Sequence, residues 1–306
     1  MLSISTFENV KHLIRTRPGI LVTNACNLSC GGCYAQCGKF SKPSTWFINL
    51  DQFKENIEYI NNYMYRGHVK MLNGEKVQVN MGNHGIDIIG GEPTVHPEWG
   101  KIWEIITIQY KSIKFLISTN GRINLPRADN VGLHLDYKTK DKESNYRFVS
   151  TLVAPIDIIG NKNRSYYWKQ AQKDCGIWKS LRCVNPIYKN QISICSVSAS
   201  WDDLLGLDLG WPLTADNNPF VNLTDQEIKR KASDICYRCG WSTKMKLPED
   251  QKSSSYDLVS NTNLEVLNKN MRNKPYKLVF NDNGVIKTSK IMNSKEPELI
   301  QISMKT

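Results

Sequence analysis

Four short apolar runs in the first half of the chain each end in a polar or glycine-bearing turn, and this alternation constrains the fold more than any other feature. Ile20, Leu21 and Val22 follow Pro18-Gly19 and break at Asn24, while Ile86–Ile89 runs into Gly90-Gly91-Glu92-Pro93. Residues 113–117 run into Ser118-Thr119-Asn120-Gly121, and Val131–Leu135 ends at Asp136. Runs this short, bounded by turn residues, predict buried strands. Residues 152–159 read as a fifth. Between them, residues 50–65 carry Phe53, Ile57, Ile60 and Met64 at helical spacing with Asp51 in the first turn, and Ile102, Ile105 and Ile106 form a second stripe. Strands that alternate with helices predict an α/β fold with parallel pairing through right-handed crossovers. The polar motifs then collect at the strand ends, where ligands bind in such sheets.

Two hairpins interrupt the pattern. Asn73-Gly74 sits within residues 68–79, and Asn281-Asp282-Asn283-Gly284 separates two further apolar runs. A helix is expected over residues 165–181, and the final residues are expected to be loose. The texture changes after Arg182, where cysteines and short apolar runs mark a second module. The boundaries are an N-terminal segment 1–16, a core 17–163, a cysteine-bearing module 164–245, and a C-terminal hairpin and tail 246–306.

At 306 residues the chain can bury a sizeable core. It has no apolar run of membrane-spanning length, and its opening residues lack a secretory signal, so a cytoplasmic protein with no membrane partner is expected. Nine cysteines are an odd number. In a reducing compartment their close spacings favour metal ligation over disulfides. The net charge of +11 suits nucleic acid or another acidic partner, but the lysines are scattered and a solvated basic surface is the default.

Cys26, Cys30 and Cys33 place three thiols within eight residues, directly after the first predicted strand. Three cysteines hold three corners of a four-iron cluster and leave one iron open to a small chelating molecule. Gly90 and Gly91 let backbone carbonyls approach a bound ammonium group, and Glu92 adds negative charge.

The C-x3-C-x2-C loop, Gly90-Gly91-Glu92-Pro93 and Ser118-Thr119-Asn120-Gly121, in that order, resemble the radical S-adenosylmethionine superfamily. The resemblance implies a partial, open (β/α) barrel with a small C-terminal cysteine-bearing module. It implies a [4Fe-4S] cluster on Cys26, Cys30 and Cys33, with S-adenosylmethionine on the open iron. Ser118, Asn120 and Asp136 would hold the ribose or carboxylate of the cofactor, and Tyr34 would lie near its adenine. Gly32 stands where many members carry an aromatic before the third cysteine, with Tyr34 one place later. An electron donor of the flavodoxin or ferredoxin kind is implied, as is a 5′-deoxyadenosyl radical that takes hydrogen from a substrate.

In the second module Cys183, Cys195, Cys236 and Cys239 supply four thiols, enough for a cluster or a tetrahedral zinc. Asn190 suits a hairpin turn before Ile192 and Ile194, which predicts a strand pair between the ligands Cys183 and Cys195. The arrangement resembles the auxiliary-cluster extension called SPASM, or its single-cluster form called twitch. It differs by Asn190 in place of a glycine, a shorter first spacing and fewer cysteines, which implies one auxiliary [4Fe-4S] cluster. By resemblance the substrate is a peptide or protein side chain, with a nucleotide, RNA or small carbohydrate as alternatives. The non-enzymatic alternative is a zinc-stapled nucleic-acid-binding protein. Cys37 and Cys175 receive no role. His84 and His96 read as hydrogen-bonded scaffold, and Tyr166, Tyr167, Trp168 and Trp178 read as packing between modules.

Overall fold

A computed structural model describes residues 18–28, 33–35, 37, 45–61, 69–70, 76–77, 85–135, 151–175, 184–214, 219, 223–242, 259–270, 278–282, 285–289 and 299–303. Strand β1 (Pro18–Leu21) lies in the middle of a seven-stranded sheet. It is followed by helix α1 (Leu50–Ile60), a small antiparallel pair β2 (Val69–Lys70) and β3 (Lys76–Val77), and strand β4 (Ile86–Ile89). Helix α2 (Trp99–Glu104) continues into a π-turn over Ile105–Gln109 before β5 (Phe115–Thr119) and β6 (Val131–Leu135). Helices α3 (Pro155–Ile159) and α4 (Arg164–Asp174) lead to β7 (Asn185–Tyr188) and β8 (Gln191–Ser193). Helix α5 (Ser196–Leu205), strand β9 (Gly210–Pro212) and helix α6 (Asp225–Cys236) come next.

The sheet order is β6-β5-β4-β1-β7-β8-β9. The pairs from β6 through β7 are parallel, and β8 and β9 are antiparallel additions. The sheet is open, with β6 and β9 at its edges. Central strands β1 and β4 are buried at every residue, as parallel strands covered on both faces must be, whereas edge strand β6 is largely exposed. Helix α1 presents Phe53, Ile57 and Ile60 to Ile20, Ile88 and Ile117, all fully buried. Burying each such side chain contributes roughly 1.5–3 kcal/mol. The α1 N-terminus is capped as its sequence suggests, with Asn49 Oδ1 accepting from the Gln52 amide at 2.8 Å.

Residues 152–159, expected as a strand, form a loop and helix α3. Pro155 occupies the first helical turn, where its fixed φ is already helical, and Gly160 closes the helix in the left-handed conformation at φ 72°. The fifth parallel strand is β7, so part of the cysteine-bearing module extends the same sheet as the core. The turn between β7 and β8 is the one Asn190 announces, with Lys189 and Asn190 both at positive φ, the signature of a two-residue hairpin.

Beyond α6, β10 (Val259–Ser260) and helix α7 (Asn261–Asn270) precede β11 (Leu278–Asp282), β12 (Val285–Ser289) and β13 (Leu299–Ser303). The expected hairpin is β11–β12. Residues 299–303, expected to be loose, pair along β12 as a further strand, because Leu-Ile-Gln-Ile-Ser has the alternation an edge strand needs. Among the described residues no helix is long and apolar enough to cross a membrane.

Asn130 ties the π-turn to the start of β6. Its side-chain amide donates to the carbonyls of Ile106 at 2.8 Å and Ile113 at 3.0 Å, and more weakly to Tyr110 at 3.4 Å. Asn130→Ala leaves these helix-end carbonyls without their donor and is expected to cost about 1–3 kcal/mol. Urea unfolding should show a lower midpoint with an unchanged slope.

Candidate functional site

The C-terminal ends of β1, β4 and β5 meet at one edge of the sheet, and the cysteine loop begins there. Val22 donates to the Ile89 carbonyl at 2.8 Å, which carries the β1–β4 pairing to the end of both strands. Past that point the roles reverse. Gly91 N–H donates to the Thr23 carbonyl and Glu92 N–H to the Ala25 carbonyl, each at 2.8 Å. This pairing demands glycine. A Cβ on Gly91 would stand 2.0 Å from the Ala25 oxygen, and one on Gly90 would stand 2.8 Å from the Thr23 oxygen.

The loop is held from its other side as well. Thr23 Oγ1 donates to the Trp46 carbonyl at 2.7 Å and accepts from the Ala25 amide at 2.9 Å. Asn24 Oδ1 accepts from Trp46 N–H at 2.7 Å. Cys26 therefore leaves a backbone fixed on both flanks, with the Leu28 amide 3.4 Å from its sulfur. Cys26 and Cys33 are half-buried, and Cys30 lies outside the described residues.

Glu92 is 1% exposed, and its carboxylate is already engaged. Oε1 accepts from the Thr94 amide at 3.2 Å, Thr94 Oγ1 at 2.6 Å and Thr119 Oγ1 at 2.7 Å, while Oε2 accepts from the Asn120 amide at 2.7 Å. Four donors on one carboxylate make Glu92 the clamp between β4 and β5. Asn120 in turn donates from Nδ2 to Asn27 Oδ1 at 2.7 Å, so the end of β5 grips the cysteine loop directly. Ser118 is half-buried beside it, its Oγ 3.5 Å from His134 Nδ1 on β6. Asp136 lies outside the described residues.

His96 is buried scaffold. Nε2 lies 2.9 Å from the Ile48 carbonyl and Nδ1 accepts from the Glu98 amide at 3.1 Å. Burial lowers its pKa, which suits a neutral ring with one donating and one accepting nitrogen. His84 and Trp178 lie outside the described residues, while Tyr167 and Trp168 are buried, Tyr167 completely.

Tyr34 packs against Trp241, ring centroids 5.8 Å apart. Trp241 leads to a second group of thiols. Cys175, Cys195, Cys236 and Cys239 line one cavity together with Trp241, and Ala171, Ile194 and Ile235 complete its apolar wall. Cys183 lies outside the described residues, so three of its expected partners are brought together and Cys175, given no role by spacing, joins them. Cys175 caps α4, Cys195 caps the start of α5, and Cys236 ends α6. Burial pushes the thiols of Cys195 and Cys239 up, and the nearby Cys175 and Cys195 push Cys239 further. Among the described residues no three His, Cys, Asp or Glu side chains are grouped to hold one metal ion.

No family model matches the chain, and no curated protein matches it.

Gly91→Ala drives a methyl group into the Ala25 carbonyl and is expected to displace the loop, with less iron retained per chain after anaerobic loading. Gly100→Ala, in a helix where nothing stands within 4 Å of the added carbon, serves as control. It should keep its iron and gain about 0.5–1 kcal/mol of stability. Glu92→Gln turns an amide N–H₂ toward at least one donor and should cost about 1–3 kcal/mol by chemical unfolding.

Proposed function

We propose that the chain is a radical S-adenosylmethionine enzyme whose reactive [4Fe-4S] cluster is held by Cys26, Cys30 and Cys33. The observation that carries this reading is the seating of the cysteine loop. It leaves β1 at the C-terminal edge of parallel strands, rests on Gly90-Gly91-Glu92 at the end of β4, and is gripped by Asn120 at the end of β5. Three sequence motifs far apart in the chain thus form one site, and this placement supports the resemblance drawn from the motifs alone. The run of parallel strands β1, β4, β5 and β6 in an open sheet supports a partial (β/α) barrel around it.

The donor set fits the group. Three thiols on a short loop suit a cluster with one open iron, and the loop backbone is fixed up to the first of them, Cys26. When bound, the cluster and S-adenosylmethionine supply a one-electron cleavage that yields a 5′-deoxyadenosyl radical able to take hydrogen from an unactivated C–H bond.

The chain's own residues do the positioning. Gly90 and Gly91, free of Cβ atoms, let the Thr23 and Ala25 carbonyls close on the end of β4, which seats the cysteine loop at the edge where the amino-acid moiety of the cofactor is proposed to bind. Glu92 holds the two strand ends at a fixed separation, and through them fixes Ser118 and Asn120, the groups proposed to bind the ribose or carboxylate. Tyr34 and Asp136 are proposed as further contacts to the cofactor. The aromatic wall of Tyr34 and Trp241 helps to exclude water, which a primary radical requires. The substrate we propose is a peptide or protein side chain, the class that auxiliary cysteine modules of this kind accompany, and the reductant a flavodoxin- or ferredoxin-like protein.

Anaerobically iron-loaded protein given dithionite and S-adenosylmethionine is expected to release 5′-deoxyadenosine and methionine, measured by liquid chromatography. Cys30→Ala should abolish both. A cluster-loaded wild-type sample that produces neither would overturn the reading.

A further inference from the structure

Helices α4, α5 and α6 bring four thiols from distant parts of the chain to one cavity. Cys175 stands at the C-terminal end of α4, Cys195 at the N-cap of α5, Cys236 at the last residue of α6, and Cys239 in the turn after it. Each is on or beside a helix end packed into the main core, and each is buried. The second half of the chain therefore contains a built site whose thiols are fixed by secondary structure.

The surroundings of the sulfurs identify what they are for. The Ser198 amide donates to Cys195 Sγ at 3.3 Å, with the Val197 amide turned to the same sulfur, and the amides of Trp241 and Ser242 are turned to the sulfur of Cys239. A buried neutral thiol gains little from amide donors, whereas a metal-bound thiolate keeps its negative charge and is stabilised by them. The Trp241 indole N–H is sequestered from solvent and meets no acceptor among the described residues. A group with acceptor atoms in the cavity would supply one.

The unpartnered indole favours a cluster over one ion. Around a tetrahedral zinc at Zn–S ~2.3 Å the four sulfurs lie about 3.8 Å apart. A single zinc so enclosed brings no acceptor atom of its own to the cavity. A cube of iron and sulfide separates its ligands more widely and carries acceptor sulfides that an indole N–H can reach.

We propose that Cys175, Cys195, Cys236 and Cys239 are the four ligands of a buried iron–sulfur cluster, with Cys175 rather than Cys183 as the thiol from the N-terminal side. All four corners are then closed by protein, so this site takes no chelating cofactor and serves electron transfer or structure. Tyr34 and Trp241 link it to the Cys26–Cys33 loop. The assignment stands on the geometry of this cavity and is independent of the radical reading.

The test starts from the full-length Cys26→Ala/Cys30→Ala/Cys33→Ala variant, which removes the first set of ligands and keeps the second. After anaerobic loading with iron and sulfide it should hold about four irons per chain. Adding Cys175→Ser should lower the count to three or fewer and change the electron paramagnetic resonance of any residual cluster, while near-ultraviolet circular dichroism reports a retained fold. Adding Cys183→Ser instead should leave count and spectrum unchanged. The proposal is overturned if Cys183→Ser produces the loss, if Cys175→Ser leaves both readouts unaltered, or if the starting variant holds a single zinc and no iron. Because 5′-deoxyadenosine is measured separately on wild-type protein, failure here and failure of the radical reading are distinct results.

Discussion

The contact on which this structure depends is the approach of two glycines to the backbone of a cysteine loop. At the end of β4, Gly90 and Gly91 lie so close to Thr23 and Ala25 that no side chain fits between them, and the amides of Gly91 and Glu92 bond the carbonyls of that loop. The sheet thereby extends its hydrogen bonding beyond its regular strands and uses it to place a ligand-bearing segment. Glu92 then accepts from four donors, two on Thr94 in the turn after β4 and two at the end of β5, which ties the two strand ends together. Preorganisation of this kind spares a cofactor the entropy of ordering the loop itself.

Much of this frame is legible in the residues. Apolar runs that end in Gly-Gly-Glu-Pro or Ser-Thr-Asn-Gly can only be strands delivering turns, and they fold as β4 and β5. Residues 152–159 show the limit of such reading. Their apolar content suits a strand or a buried helix equally, and Pro155 with Gly160 decides for helix α3. Strand β7 was legible as one arm of the hairpin about Asn190, while its parallel pairing with β1 comes from tertiary structure. At the second cysteine group, spacing marked candidate thiols but not which of them meet. Cys175 sits at the end of a helix, and only the packing of α4 against α6 and the turn after it brings its sulfur to Cys195, Cys236 and Cys239. The role of Glu92 was likewise visible as a charge, while its four donors come from tertiary structure.

The two cysteine groups are joined physically. Tyr34 follows directly on Cys33, and its ring packs on Trp241, two residues beyond Cys239. Strands β7, β8 and β9 continue the sheet that holds the first site, so the second is an extension of one framework. Such a frame keeps the separation of the two cysteine groups fixed.

The central claim is that one iron on the Cys26, Cys30 and Cys33 loop is left open for a sulfonium compound. Electron paramagnetic and electron–nuclear double resonance of the reduced protein, with S-adenosylmethionine labelled at its carboxylate and amino group, tests it most directly. The account predicts that adding the labelled compound shifts the cluster signal and produces hyperfine coupling to the labels, both lost in Cys30→Ala. A signal that stays unchanged at saturating S-adenosylmethionine, with no coupling, would contradict it.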